Sequence, residues 1–137
     1  MEAKTETEKG YQKWLELKAL RNLKKFPLVK GVENPKLRRI YPLMQKSVQQ
    51  IMELLEEYPV SLIVFGSALT MKCNITSDLD LCIQTTAYDK ELFYDLAKKI
   101  ACMVDVRTDI LYYNDLTKQD RIKEEIDRNG YWIQEAG

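Results

Sequence analysis

The fold is decided by residues 60–84, VSLIVFGSALTMKCNITSDLDLCIQ. An apolar run ends at Gly66 and Ser67, ten residues follow, and an Asp-Leu-Asp motif at 78–80 opens a second apolar run. Apolar runs of strand length that are bounded by turn residues are typical of β-strands. The stretch therefore predicts two neighbouring strands joined by a short irregular connection.

Two features of this stretch point to a metal ion and a phosphate group. Side chains alternate along a strand, so Asp78 and Asp80 are expected on one face. Neighbouring carboxylates repel each other unless a cation lies between them, and a hard cation such as Mg²⁺ prefers oxygen ligands. Gly66 lets the backbone approach a ligand closely, and Ser67 is suited to cap the following turn, where N–H groups can face phosphate. The residues predict a phosphate site beside a metal site.

The Gly-Ser motif, the ten-residue spacing and the Asp-x-Asp motif resemble the signature of the DNA polymerase beta type nucleotidyltransferase superfamily. In size the chain is most similar to the minimal nucleotidyltransferase branch, whose members are the partners of HEPN proteins in prokaryotic toxin–antitoxin pairs. The resemblance covers residues 42–130. It implies a magnesium-dependent enzyme that transfers a nucleoside monophosphate to a protein or other hydroxyl-bearing acceptor. ATP is the first choice of nucleoside triphosphate, and a HEPN-type toxin is the implied protein partner.

The resemblance also implies roles for four of these residues. Asp78 and Asp80 would hold two Mg²⁺ ions as metal ligands and catalytic residues. Gly66 and Ser67 would bind the β- and γ-phosphates through a backbone N–H and a hydroxyl. The reaction that follows releases pyrophosphate.

The third metal ligand of the family comes from a neighbouring strand, where this chain offers Asp105 and Asp109. Residues four apart on a strand share a face, so strand parity does not choose between them. The run DILYYNDL, which begins at Asp109, and the later run KEEIDRNG are similar to the C-terminal pattern of the family. The resemblance therefore selects Asp109 as the third ligand and as a candidate acceptor of the proton from the attacking hydroxyl. Asp105 is the alternative third ligand.

The chain departs from the family directly after the Gly-Ser motif. Residues 68–71 are ALTM, whereas many members have Arg-Gly shortly after Gly-Ser. A cation that would help to neutralise a triphosphate is therefore missing from its usual position. Lys72 and Arg107 are candidates to replace it, although both residue types are more often plain surface charges.

Composition excludes several classes of site. The 137-residue chain has the length of one domain, and its hydrophobic fraction of 45% and charged fraction of 31% are those of a folded globular protein. It contains no histidine, which excludes histidine general bases and histidine metal sites. A resemblance to the HEPN partner would imply a catalytic histidine, so that role is excluded as well. Cys73, Cys82 and Cys102 have no metal-ligand spacing, so reduced thiols are expected.

Charge is distributed unevenly along the chain. Residues 1–50 carry 12 Lys and Arg against 5 Asp and Glu, whereas residues 51–137 carry 9 against 16. The basic surface between Lys18 and Arg39 is either a solvated helix face or a docking surface for protein, nucleic acid or nucleoside triphosphate. Nucleic acid is the least favoured of these partners, although the basic N-terminal half does not exclude it.

Apolar periodicity predicts further elements around the first two strands. Asn34 is expected to cap a helix that begins with proline, and Pro42 either kinks the following helix or starts a new one. The other predicted helices are one over 6–28, one reaching Tyr58, one from Thr86 to Met103 with Asp89 in its capping box, and a last one capped by Thr117 with Asp120. A further strand is predicted over 104–113. Residues 131–133 are expected to form either an edge strand or a packing tail.

These elements predict an α/β (α+β) fold. It has a small mixed sheet of three to four strands that carries the metal site, is backed by helices, and is joined by an extra N-terminal helical segment. Residues 1–137 are expected to form a single nucleotidyltransferase domain, with an extension over 1–40 and a catalytic core over 42–130. No apolar run is long enough to cross a bilayer and no signal peptide is recognisable, so we expect a cytoplasmic protein without a membrane partner.

Two other functions stay open on the sequence. A protein whose catalysis is weak or lost would act as an antitoxin module that neutralises its partner by docking through the basic N-terminal half. A small-molecule enzyme of the aminoglycoside nucleotidyltransferase type is the further alternative, although such enzymes usually need a substrate domain that this length does not supply. The site of a minimal domain is open, so a homodimer or the partner protein would complete the acceptor pocket.

Overall fold

The computed structural model describes residues 25–136 of the chain. The predicted helix over 6–28 therefore lies almost entirely outside the described residues. Its last residues, 25–28, are not helical. Phe26 and Val29 are nevertheless buried, so this segment packs against the rest of the protein.

The centre of the fold is a four-stranded mixed sheet, which agrees with the predicted small mixed sheet of three to four strands. Its strands occur in the spatial order β3-β2-β1-β4 and are Val60–Phe65 (β1), Leu79–Thr85 (β2), Thr108–Tyr112 (β3) and Tyr131–Gln134 (β4). β1 is antiparallel to both β2 and β4, whereas β2 and β3 are parallel. The segment at 131–134 is thus an edge strand and not a packing tail.

Within residues 25–136, three α-helices flank the sheet: Pro42–Leu55 (α1), Lys90–Met103 (α2) and Arg121–Asn129 (α3). Short 3-10 helices occupy Pro35–Arg39, Gly66–Leu69 and Tyr113–Asp115. α2 is the crossover connection that two parallel neighbours such as β2 and β3 require. The prediction of helices backing a small mixed sheet is confirmed.

Proline and asparagine set the helix starts before the sheet. Asn34 caps the first 3-10 helix, because its Oδ1 accepts a hydrogen bond from the Lys36 N–H at 3.0 Å, and Pro35 occupies the first helical position. Pro42 begins α1 instead of kinking a longer helix. A proline at the first helical position removes no hydrogen bond that the helix would otherwise make.

The predicted starts of α2 and β3 were wrong by several residues. Asp89 is the N-cap of α2 and accepts from the Leu92 N–H at 3.0 Å, so Thr86 lies before the helix and not at its cap. β3 begins at Thr108, because the chain bends at 105–106 before it rejoins the sheet. The local sequence pattern did not predict this bend, because the bend depends on how the chain returns from α2 to the sheet.

The last helix also begins differently from the prediction. Its N-cap is Asp120, whose carboxylate accepts from the backbone N–H of Thr117 at 2.7 Å. This bond closes a turn before the helix and does not cap a helical N–H. The predicted end of α3 at Asn129 and Gly130 is confirmed.

Both faces of the sheet are covered, which explains why β1 is apolar at almost every position. All six β1 side chains are buried. One face packs on the main core with α1 and α2, where Val48, Ile51, Leu96 and Ile100 are fully buried. The opposite face is covered by a smaller cluster that includes Ile126 of α3, with Ile63, Phe65 and Cys82.

Gln45 is a fully buried polar residue that joins the segment before α1 to the core. Its Oε1 accepts from the Val29 N–H at 2.9 Å, and its Nε2 donates to the carbonyl oxygens of Pro27 at 2.9 Å and Ile40 at 3.0 Å. Buried polar groups are tolerated when their hydrogen bonds are made within the protein. One side chain thus satisfies three backbone groups that lack regular secondary structure.

Two further expectations concern cysteines and membranes. Cys73, Cys82 and Cys102 are free thiols, as predicted, and only Cys102 of the three is exposed. In the part of the chain from residue 25 to residue 136, no helix combines the length and the apolar character that crossing a bilayer would demand.

We expect Gln45→Ala to lower the free energy of unfolding by about 3 kcal/mol, because three buried backbone groups lose their partner. Gln50→Ala, at an exposed position of the same helix, is the matched control and should change stability by less than about 0.5 kcal/mol. Urea denaturation followed by circular dichroism measures both. Equal stability of the two variants would contradict the role of Gln45.

Candidate metal and nucleotide site

Asp80 and Asp109 are neighbours on adjacent parallel strands. Asp80, the second residue of β2, is paired in register with Asp109, the second residue of β3. Paired residues of neighbouring strands project to the same face at a strand separation of about 4.8 Å. Asp78 immediately precedes β2, and Asp105 lies in the bend before β3, outside the paired residues. The structure therefore brings Asp109, and not Asp105, next to Asp80.

Asp80 is affected by the negative charges of Asp78 and Asp109. Burial raises the pKa of Asp80 above its ordinary value, and the negative charges of Asp109 and Asp78 raise it further. A carboxylate that is half-buried beside two other carboxylates is unfavourable for stability, and such sites are enriched in functional positions. Asp80 thus lies within reach of the charges of the other two residues that were predicted as metal ligands.

Arg107 lies at the edge of the carboxylate group. Its Nε is 3.6 Å from Asp78 Oδ1, and its carbonyl oxygen accepts from the Leu79 N–H at 2.7 Å, which holds its backbone beside the start of β2. The Arg107 side chain is 87% exposed, so the ion pair contributes at most about 1 kcal/mol. Lys72, the other predicted substitute cation, is exposed in the connection before β2.

Gly66 is packed against the carboxylate of Asp80. Its φ of +76° lies in the left-handed region, and a Cβ placed on it would be 2.3 Å from Asp80 Oδ2. No side chain longer than that of glycine fits between the backbone and the carboxylate without displacing one of them. The Gly-Ser motif and the Asp-x-Asp motif, predicted to form one site, are therefore in direct contact.

Ser67 belongs to the 3-10 helix that follows β1. No side chain caps the N-terminus of this helix, and the Tyr41 N–H donates to the Ala68 carbonyl oxygen at 2.8 Å, which ties the helix to the residues before α1. The Ser67 hydroxyl also meets the buried thiol of Cys73, as does that of Ser77. Burial raises the pKa of this thiol, whereas the hydrogen bonds with the two serines lower it.

The sequence predicted Cys73 only as a reduced thiol and did not predict its contacts with Ser67 and Ser77. The one available signal was an apolar residue within the polar stretch KCNITSD, where it anchors the connection between Ser67 and Asp78. Cys82, on the same face of β2 as Asp80, is fully buried near α3. Its burial, together with the charge of Asp127, raises the pKa of its thiol to about 12, which excludes it as a nucleophile at neutral pH.

The donor atoms at this site suit a hard divalent cation. Carboxylate oxygens are the protein ligands that Mg²⁺ prefers, and a nearby positive charge would stabilise the ionised form of Asp80, whose pKa is raised. Within residues 25–136, however, no three side chains of His, Cys, Asp or Glu are arranged as a finished metal site. The residues fit the ion in the chemistry of their donor atoms.

The sequence and the fold were compared with those of known proteins. Residues 49–136, more than half of the chain, match the profile of the family described as Polymerase beta, Nucleotidyltransferase. No curated protein matches the chain in sequence.

Solved structures of toxin–antitoxin complexes are similar in fold. A mutant of the MntA-HpeT toxin–antitoxin gives a TM-score of 0.53 at 16% identity, covering 64% of this chain and 72% of that one. A tri-AMPylated Shewanella oneidensis HEPN toxin in complex with MNT antitoxin gives 0.51 at 19% identity, covering 67% and 72%. These similarities establish a shared fold.

We expect Gly66→Ala to destabilise the protein more than Gly31→Ala. Both glycines have positive φ, +76° and +87°, but a Cβ on Gly31 meets nothing within 4 Å. Gly31→Ala therefore introduces only the backbone strain of about 1 to 2 kcal/mol, whereas Gly66→Ala adds the clash with Asp80. The midpoints of denaturant unfolding measure the difference in stability between the two variants. If both variants lost the same stability, Asp80 would be able to move away from the new Cβ without cost.

We expect Asp80→Asn to raise the free energy of unfolding at neutral pH in the presence of a chelator. A carboxyl whose pKa is raised on folding stabilises the fold while protonated, and this contribution is lost as pH rises through the raised pKa. The free energies of unfolding of the variant and the wild type should therefore become equal at pH values below 3.8, the ordinary pKa of the carboxyl group. Asp105→Asn, which removes an exposed charge, is the control. If Asp80→Asn were less stable than the wild type at neutral pH, the ionised Asp80 carboxylate would not be unfavourable for folding.

Proposed function

The chain belongs to the polymerase beta nucleotidyltransferase family, and we propose on that premise that it transfers AMP from ATP to a hydroxyl of a HEPN-type protein partner. The observation that carries the proposal is the register pairing of Asp80 with Asp109, with Gly66 packed against the Asp80 carboxylate. The AMPylated HEPN toxin in complex with MNT antitoxin, whose structure has a similar fold, supports the choice of nucleotide and acceptor.

Three carboxylates would hold the metal in this proposal. Asp78, Asp80 and Asp109 would bind two Mg²⁺ ions, which when bound supply positive charge to the phosphate oxygens of the nucleotide. Burial raises the pKa of Asp80, and repulsion by Asp109 and Asp78 raises it further; the bound ions would relieve this repulsion. Asp105 is outside the sheet and is the weaker candidate for the third ligand.

The residues of the chain itself would bind the nucleotide and move one proton. The Gly66 N–H and the Ser67 hydroxyl would donate hydrogen bonds to the β- and γ-phosphates, and the exposed Arg107 is near enough to add a positive charge. The acceptor oxygen would bond to the α-phosphorus while the bond from that phosphorus to the β-phosphate oxygen breaks. Pyrophosphate leaves, and Asp109 would take the proton of the hydroxyl.

The proposed organisation is a single domain over 1–137 with a catalytic core that begins near residue 42. A cytoplasmic toxin–antitoxin pair is the setting that we propose, with the partner protein or a second copy of this chain completing the acceptor pocket. The HEPN partner then serves both as binding partner and as acceptor.

A second candidate function is neutralisation of the partner by docking without catalysis. Lys25, Lys30, Lys36, Arg38 and Arg39 are exposed on one segment of the chain, which favours contact with an acidic partner. Under this alternative, a variant without the carboxylates would still neutralise the partner. A small-molecule transferase would instead place the label on a compound and not on protein.

We expect Asp78→Asn combined with Asp80→Asn to lower the transfer of labelled AMP to a purified HEPN-type partner at least about a hundredfold. Asp109→Asn should cause a loss of similar size, because it would remove a metal ligand and the proton acceptor. Asp105→Asn is the matched control and should retain activity. Incubation with labelled ATP and Mg²⁺ measures transfer, and circular dichroism verifies folding. Undiminished transfer by the double variant would exclude this mechanism.

A further inference from the structure

Arg39 lies beside the 3-10 helix that carries the Gly-Ser motif. It is the last residue of the first 3-10 helix, and Tyr41, two residues further on, donates its N–H to the Ala68 carbonyl oxygen at 2.8 Å. Two residues of chain span at most about 7 Å. The backbone of Arg39 is therefore held close to the helix Gly66–Leu69.

The side chain of Arg39 is held over the ring of Tyr131. Its guanidinium carbon, Cζ, is 4.2 Å from the centroid of the ring, a distance at which the cation is attracted to the aromatic face. The Tyr131 hydroxyl donates to the Lys36 carbonyl oxygen at 3.1 Å, which ties the ring to the same 3-10 helix. A guanidinium that contacts a ring through its planar face keeps the N–H groups at its edge available for two phosphate oxygens.

Tyr131 places this guanidinium at the end of the sheet where the Gly-Ser motif follows. It is the first residue of β4 and pairs with Val64, two residues before Gly66. Asp80 pairs instead with Phe65, so its carboxylate lies on the opposite face of the sheet from the Tyr131 ring. A phosphate bound by the Gly66 backbone would lie beyond the end of β1, where side chains from either face can reach it.

The charge of Arg39 is not neutralised by an ion pair with any carboxylate of residues 25–136. Its side chain is exposed. Residues 68–71, ALTM, lack the cation that is expected after Gly-Ser. Arg39 also precedes residues 49–136, which match the family profile, so it belongs to a part of the chain that the profile does not describe. Positive charge beside the Gly-Ser helix favours an anionic ligand there.

We propose that Arg39, held on Tyr131, binds the β- and γ-phosphates of the nucleoside triphosphate and supplies the positive charge that residues 68–71 lack. The identity of the ligand rests on the proposed function. In the part of the chain that the structure describes, neither Lys72 nor Arg107 contacts an aromatic ring. Their side chains would have to be ordered when the nucleotide binds, which costs entropy, whereas the ring already holds Arg39.

The test measures binding of a fluorescent ATP analogue and of a fluorescent AMP analogue, which lacks the β- and γ-phosphates, both with Mg²⁺. Arg39→Gln should weaken binding of the ATP analogue about tenfold to a hundredfold, the loss expected for hydrogen bonds between charged groups. Its binding of the AMP analogue should be unchanged. Arg38→Gln, which removes the same charge from the neighbouring exposed position, is the matched control and should bind both analogues as the wild type does.

Two substitutions of Tyr131 test how Arg39 is held. Tyr131→Leu removes the ring and should weaken binding of the ATP analogue about twofold to fivefold, the loss expected for an exposed cation–π contact. Tyr131→Phe keeps the ring and loses only the hydrogen bond to Lys36, so its affinity should be close to that of the wild type. Equal affinities of these two variants would overturn the role of the ring.

The outcomes separate this inference from the proposed function. A loss of affinity for the ATP analogue alone, in Arg39→Gln and not in Arg38→Gln, supports the phosphate contact whether or not the wild type transfers AMP. Unchanged affinity of Arg39→Gln overturns it, even if transfer is observed. An equal loss for the AMP analogue or in Arg38→Gln also overturns it, as does a wild type that does not bind the ATP analogue. Absence of transfer from a wild type that binds the ATP analogue through Arg39 would reject only the proposed reaction.

Discussion

The contact between the Gly66 backbone and the Asp80 carboxylate is the constraint on which the site depends. β1 and β2 pair so that Phe65 faces Asp80, and the chain must leave β1 at the next residue without filling the space that the carboxylate occupies. The positive φ of Gly66 achieves this turn. The same register that buries the apolar side chains of β1 on both faces therefore also determines where the carboxylate and the following 3-10 helix meet.

The core compensates for a site that is unfavourable in electrostatic terms. Asp80 is half-buried, its pKa is raised by burial and by two other carboxylates, and the nearby Arg107 pairs with Asp78. Behind this group the sheet is packed on both faces, with aliphatic residues of α1 and α2 on one side and Ile126 on the other. Rigid packing of this kind holds like charges close to one another.

Much of this arrangement follows from local sequence, and the rest depends on contacts between distant residues. Strand length, the bounding turn residues and the Asp-x-Asp spacing sufficed to predict β1, β2 and the face of Asp80. Strand parity left Asp105 and Asp109 equivalent, because the register of β3 against β2 is set by how α2 returns the chain to the sheet. The path of the chain from α2 back to the sheet also places the bend at 105–106 and makes β3 shorter than the predicted strand over 104–113. Ser67 and Cys73 meet only in the folded chain, so no local pattern indicated their contact.

The position of β4 has a consequence for how the chain is made. β1 forms at residues 60–65, but the strand that covers its outer edge comes from residues 131–134. During synthesis, β1 is therefore complete long before its edge is paired, and an apolar strand with an open edge is a template for pairing with other chains. The order of the strands along the chain makes the nascent protein prone to association until α3 and β4 have emerged from the ribosome.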